Sequence, residues 1–349
     1  MEIISKKKHI QFIQVHDDVF AYISTDNVVF YNNEIVYKSD EGLQELYAID
    51  SYLYTNTSKN GDGVLINIDN KKCESFQGNY IFNIIKNKII FGNGSETKLI
   101  SLDHLDDGIL KFPFMIYFIY IIKFDQDILV NSDHDFFLNK SIINLYKLST
   151  AEKIWSFDLK ELGICGADSK PYMIADFSGI HEDRLVCTLQ NGYILLLDLT
   201  TGTVKHIFEN AKMISGLRQK EGSIFWGAKY REFIEVDVDK QITLRQISLE
   251  SEFNRMLTVT NGEPGWFAIA KSFFHDGLFY FYSDSIIGIL DPIEIKIIDF
   301  MKLELKESAL IKDVQVNRDL IYCLETKGNL TILESEAAKE YKKKHQKKL

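Results

Sequence analysis

Residues 183–208 run DRLVCTLQNG, YILLLDLTTG, TVKHIF: three apolar strands separated by two tight turns. Asn191-Gly192 and Thr201-Gly202 supply the positive-φ positions that short hairpins need, so the segment predicts an antiparallel meander. The apolar stretch from about Met173 adds a strand in front of it. The same cadence recurs along the chain. Its first turns are His16-Asp17-Asp18, Asp50-Ser51, Lys86-Asn87-Lys88, Asp125-Gln126-Asp127, His181-Glu182-Asp183, Lys220-Glu221-Gly222, His275-Asp276-Gly277 and Asn317-Arg318-Asp319. A period near 40 residues with about four strands per unit is the signature of a propeller blade. The expectation is therefore an all-β chain forming a single β-propeller of eight four-stranded blades, with seven blades as the alternative.

The eighth unit, Leu310 to Leu333, holds only three strands before the chain turns hydrophilic, and Glu2 to Ser5 form a short stretch with no unit of their own. Pairing that N-terminal strand with the last blade closes the ring and removes free sheet edges. The propeller is expected to occupy residues 1–335, leaving 336–349 as a basic C-terminal tail that begins like a helix in EAAKEY and is otherwise solvated.

Composition bounds function mainly by exclusion. The 349 residues are 46% hydrophobic and 13% aromatic, with four prolines, which suits one soluble domain. Met1 to Lys8 lacks the apolar core of a secretory signal, and the run from Phe112 to Ile122 is too short to span a bilayer, so a cytoplasmic protein without membrane contact is expected. Cys73, Cys165, Cys187 and Cys323 are widely spaced and read as buried reduced thiols. The net charge is -10, yet 336–349 hold six lysines and two glutamates, which leaves -14 on residues 1–335. An acidic body repels nucleic acid and favours a basic protein partner.

The outer hairpins carry a resemblance. Asp198, Thr201 and Gly202 in the fifth unit, with Thr150, Ala151 and Trp155 in the fourth, resemble the repeat of the PQQ-like, or quinoprotein-like, β-propellers. Asp69 with Phe76, Asp103 with Phe112, and Asp291 with Phe300 repeat an acidic turn and a later aromatic. The resemblance implies a shape in which the turn glycine relieves strain and the tryptophan stacks between blades. His206 replaces the expected tryptophan and Lys147 the expected aspartate, so no cofactor is expected. WD40 proteins are a near alternative on shape, although no Gly-His and Trp-Asp pair recurs in register.

No nucleophile-elbow, dinucleotide-binding, Walker or zinc-protease motif occurs, and Asn60-Gly61-Asp62-Gly63 reads as a plain turn. Asp133-His134-Asp135 has metal-ligand residue types, but three adjacent positions offer too few ligands, and no metal site is expected. Three long segments, Ser132 to Lys140, Lys160 to Tyr172 and Glu250 to Gly265, fall where connections share one rim, and they are expected to be loops. They carry the candidate partner-binding residues Asp133, Asp135, Phe136, Phe137, Glu250, Glu252, Phe253 and Arg255, with Asp168 and Trp266 nearby. Aromatics ringed by charge suit a protein interface. The expected function is a non-catalytic interaction module, an inhibitor or immunity protein for a basic partner in its specific form. The competing class is a metal-assisted hydrolase or lyase at the central funnel.

Overall fold

A computed structural model describes residues 1–16, 19–85, 88–93, 96–102, 109–112, 128–135, 140–163, 173–209, 211, 216–259, 269 and 271–345. Its strands follow the repeat read from the turns. After β1 (Glu2–Lys7), blade 1 comprises β2 (Ile10–His16), β3 (Val19–Ser24), β4 (Val28–Tyr31) and β5 (Glu34–Lys38). Blade 2 comprises β6 (Leu43–Ile49), β7 (Tyr52–Thr57), β8 (Gly63–Asn67) and β9 (Cys73–Phe76); blade 3, β10 (Tyr80–Ile85), β11 (Lys88–Gly92), β12 (Thr97–Ser101) and β13 (Leu110–Phe112). In blade 4, β14 (Ile128–Asp135), β15 (Lys140–Lys147) and β16 (Lys153–Asp158) are described, and the expected inner strand falls in 113–127, outside the described residues. Blade 5 is β17 (Ile174–His181), β18 (Arg184–Leu189), β19 (Ile194–Asp198) and β20 (Val204–Phe208); blade 6, β21 (Arg218–Glu221), β22 (Ile224–Lys229), β23 (Glu232–Asp237) and β24 (Ile242–Ser248). Helix α1 (Glu250–Val259) precedes blade 7, formed by β25 (Lys271–His275), β26 (Leu278–Ser283), β27 (Ile286–Asp291) and β28 (Lys296–Lys302). Blade 8 adds β29 (Ile311–Asn317), β30 (Leu320–Glu325) and β31 (Leu330–Glu334), before helix α2 (Glu336–His345).

The result is an eight-bladed all-β propeller whose last sheet has the order β1-β31-β30-β29. The N-terminal strand supplies the missing outer strand, with Ile3 opposite Leu333 and Lys7 opposite Leu330. Contacts divide the chain into two units, one of residues 1–116, 284–287 and 298–349, the other of 117–283 and 288–297.

In the first unit, cores form between successive blades. Val29, Leu46, Leu53 and Ile66 join blades 1 and 2; Tyr54, Leu65, Ile89 and Phe91 join blades 2 and 3; Ile10, Ile13, Leu324 and Leu330 join blades 8 and 1. Asp299 fastens the closure, because its carboxylate accepts bonds from the Met1 amine at 2.8 and 2.9 Å and from Ser335 Oγ. Residues 336–345 are helical because Ser335 Oγ accepts from the Ala338 N–H as an N-cap, Ala338 is buried, and Lys342 Nζ donates to the Arg318 carbonyl at 2.7 Å.

In the second unit, Trp155, Phe157, Phe177 and Leu197 fill the space between blades 4 and 5, and Leu196, Phe225, Ile234 and Val236 fill that between blades 5 and 6. The corner residues of the repeat have a defined task. Asp198 Oδ1 accepts from the N–H groups of Thr200 and Thr201, Asp237 Oδ1 from those of Asp239 and Lys240, and Asp291 Oδ1 from those of Ile293 and Glu294. These Asx turns set the hairpin between third and fourth strands. In blade 2 of the first unit the same task falls to Asn67, not to the expected Asp69. Trp155 stacks against Gly202 of the next blade and donates its indole N–H to the Leu199 carbonyl at 2.8 Å. Among the cysteines, Cys187 and Cys323 are buried, and burial pushes both thiols up; Cys73 is exposed, because the outer strand β9 offers it no cover. Among the described residues, no helix is long and apolar enough to cross a membrane.

Candidate functional site

The rim residues expected to bind a partner lie in the second unit, and the structure changes how several of them are seen. Asp133 and Asp135 are strand residues, not loop residues: β14 continues through them, opposite Ile142 and Lys140 of β15. Backbone pairing opposite Asn144, Ile143, Ile142, Ser141 and Lys140 carries the strand through the polar run 131–135, which has no apolar alternation to mark it in the sequence. Phe136 and Phe137 lie outside the described residues, as do Asp168 and Trp266.

The segment starting at Glu250 is helical rather than a loop, because Leu249, Phe253 and Met256 recur at helical spacing and all three are buried. Phe253 is 1% exposed and meets Phe281 edge-on at 5.9 Å, so it pins the helix and offers no ring to a partner. Glu252 accepts from the backbone N–H of Ile297 at 2.9 Å, while Arg255 donates to the carbonyl of the same residue and to Glu252. Together they satisfy the outward-facing backbone groups of Ile297 on β28, as a further strand would. Of the four candidates on α1, Glu250 stays exposed, 3.2 Å from the Arg231 guanidinium. The candidates of blade 4 and those of α1 occupy different blades, and Glu252, Phe253 and Arg255 are brought together as an edge cap.

The first unit holds a group that sequence reasoning missed. On β6, Gln44 pairs with Asn56 and Tyr47 with Tyr54, so three steps on one strand match two on the other. The extra residue is Glu45, in the left-handed region at φ 59°, and the buried Thr55 hydroxyl holds this bulge through the carbonyls of Gln44 and Glu45 at 3.0 and 2.8 Å. Tyr47 stacks one face on Tyr54 at 4.8 Å and stays 40% exposed. Burial of its remaining surface pushes the Tyr47 hydroxyl up to about 12, and the Glu45 charge, a hydrogen bond to Glu45 and the Asp313 charge reinforce the shift.

The neighbouring inner strands are polar as well. Lys312 Nζ donates to the Gln11 carbonyl at 2.7 Å and lies 3.7 Å from the centre of the Phe12 ring, where desolvation pushes its ammonium down. Gln315 Nε2 donates to the Ile13 carbonyl and to Asp313, and its Oε1 accepts from the Val15 N–H. Chemically, an aromatic face beside two carboxylates suits an ammonium or guanidinium group. The signal in LQELYAI is an aromatic flanked by acid within an inner strand, but the bulge that presents it leaves no mark in a period-two pattern.

Among the described residues, one group of three has metal-ligand types, His181, Glu182 and Asp239, with donor atoms within 4.8 Å of one another. Arg184 donates to Asp239 and holds its carboxyl below the usual range, with His181 Nε2 at 3.4 Å from the same carboxylate. A guanidinium already occupies the charge that a metal ion would need.

No known family description matches the chain, and no curated protein matches it in sequence. Similarity appears among solved structures. The C-terminal WD40 domain of Sif2 superposes with a TM-score of 0.66 at 11% identity, covering 96% of this chain and 98% of that one. This chain folds as an eight-bladed β-propeller. Sqt1 of Saccharomyces cerevisiae matches the propeller with a TM-score of 0.64 at 11% identity over 94% and 96% of the two chains. BamB of Moraxella catarrhalis reaches 0.63 at 12% identity over 96% and 99%. At these identities the likeness is one of fold.

Proposed function

We infer that this propeller is a non-catalytic protein-interaction module whose partner presents a basic side chain to Tyr47, Glu45 and Asp313. The observation that carries the reading is the half-exposed Tyr47 ring, backed by Tyr54 and flanked by carboxylates. A cation over a tyrosine face is worth about 0.5–2 kcal/mol, and ion pairing adds specificity. The charge of -14 on residues 1–335 steers a basic protein towards such a group. The blade 4 hairpin, through Asp133, Asp135, Phe136 and Phe137, and Glu250 on α1 are proposed as a separate contact region, with Glu252, Phe253 and Arg255 holding α1 in place.

In its specific form the proposal is an inhibitor or immunity protein, working in the cytoplasm by occupying the basic surface of its target. The corner formed by Asp198, Gly202 and Trp155 supports reading the repeat as quinoprotein-like in shape. The test is affinity capture from the native host with wild type, Tyr47→Ala and Asp313→Asn. A basic protein retained by wild type and reduced about tenfold on Tyr47→Ala supports the reading, as expected for a loss near 1.4 kcal/mol. Equal retention on both removes this group from the site.

A further inference from the structure

Bulges recur on the inner strands of the first unit, and those of blades 1 and 8 show how the fold makes them without strain. On β2, Ile10 and Phe12 pair with Ser24 and Ile23, which leaves Gln11 as the extra residue; on β29, Ile311 and Asp313 pair with Glu325 and Leu324, which leaves Lys312. Neither Gln11 nor Lys312 has a positive φ. Blade 2 differs. Its extra residue, Glu45, stands at φ 59°, a region that strains any residue carrying a Cβ. The Thr55 hydroxyl holds it there: it is fully buried and shares its proton between the carbonyls of Gln44 and Glu45.

This bulge decides where Tyr47 points. Leu43 and Leu46 both enter the core shared with blade 1, while Tyr47 falls opposite Tyr54 and stacks on it. With Leu43 kept opposite Thr57, a strand without the extra residue would set Tyr47 opposite Leu53, on the other face of the sheet. The third member of the group is fixed by other means. Asp313 accepts from Gln315 Nε2 at 2.8 Å, and the same amide is bound to Ile13 and Val15 of β2. Altering the clamp at Thr55 therefore changes the blade 2 half of the site and leaves the blade 8 half in place.

We propose that Thr55 is the positioning residue of the cation site, its buried hydroxyl holding Glu45 and Tyr47 in the one register that presents them to a partner's ammonium or guanidinium group. The inference rests on the basic-partner reading of Tyr47 and adds to it a residue that no partner can touch. A site preset in this way spends less of its binding energy on ordering itself when the cation arrives.

Two measurements test it together: fluorescence anisotropy of a labelled hexalysine peptide at about 0.15 M salt, and the ionisation of Tyr47 by tyrosine 13Cζ NMR, assigned with Tyr47→Phe. In the wild-type chain Tyr47 is expected to titrate at about 12 instead of its ordinary 10. Thr55→Val keeps the shape but cannot donate. It should bring that midpoint down towards 10 and weaken the peptide about tenfold, as Tyr47→Ala does, with unchanged circular dichroism. Thr55→Ser should restore the midpoint and bind within about twofold of wild type. If Thr55→Val does not fold, Thr55→Cys, of similar size and with a weak donor, is judged by the same criteria. Loss of binding on Tyr47→Ala with none on the folded Thr55 variant, an unchanged Tyr47 midpoint in that variant, or a Thr55→Ser variant that behaves like Thr55→Val overturns the positioning role. Equal peptide binding by wild type and Tyr47→Ala would instead overturn the basic-partner reading on which it rests.

Discussion

The contact between Trp155 and Gly202 makes a quantitative prediction about how blades 4 and 5 are locked. Gly202 has φ 73°, and a Cβ built on it would lie 2.7 Å from Trp155 Cδ2 and 2.8 Å from Cε3. Unstrained carbon contacts sit near 3.5–4.0 Å, so the added methyl must displace the indole or the turn by about 1 Å. Gly202→Ala therefore costs about 1–2 kcal/mol for the left-handed backbone and about 1–3 kcal/mol for overpacking. Trp155→Ala removes a side chain only 8% exposed together with its bond to Leu199, a loss of about 3–5 kcal/mol. In the double variant the overpacking vanishes and only the backbone strain remains. The two costs should fall short of additivity by about 1–3 kcal/mol in a guanidinium unfolding cycle of the four proteins. Additivity within about 0.5 kcal/mol would refute the steric account of the corner.

Three further outcomes are expected. Phe253→Ala should undock α1 and speed amide exchange at Ile297, and Glu252→Gln should do so more weakly; exchange mass spectrometry of β28 reads both, and unchanged protection would count against the edge cap. For Asp237, burial opposes ionisation, but bonds from Lys240 and Ser223 prevail and hold its carboxyl at about 2 in the folded state, below its ordinary 3.8. A depressed folded value means stabilisation that is full above about pH 4 and lost as pH falls towards 2, so the destabilisation by Asp237→Asn should shrink over that window in melting experiments. Removing Met1 to Ser5 should lower the melting temperature markedly, whereas Ile3→Thr and Ile4→Thr should leave it nearly unchanged, because those side chains are 47% and 50% exposed and β1 acts through its backbone and the Met1 bond to Asp299.

What the sequence made legible was whatever depends on local chemistry. Asn191-Gly192 and Thr201-Gly202 mark hairpins because few residues tolerate their φ, and Gly192 and Gly202 indeed have φ 86° and 73°. The N-terminal strand was legible because a last blade lacking one strand leaves an edge that must be filled. Helix α1 was less legible: Leu249, Phe253 and Met256 give barely two turns of apolar period inside a polar stretch, so its charged and aromatic residues looked available. Only tertiary packing against Phe281 and Ile297 shows how Phe253, Glu252 and Arg255 are used. The Tyr47 group was hidden for a different reason. A single inserted residue at Glu45 changes which face follows it, and the cause is a buried Thr55 hydroxyl on another strand.

The central claim, a basic partner held at Tyr47, Glu45 and Asp313, is tested most directly by titrating the partner captured from the host against wild type and Tyr47→Ala at two salt concentrations. The account predicts a basic protein whose affinity falls with salt on wild type and is about tenfold weaker on the folded variant. A partner without a basic surface, or one that binds Tyr47→Ala as tightly as wild type, would contradict it.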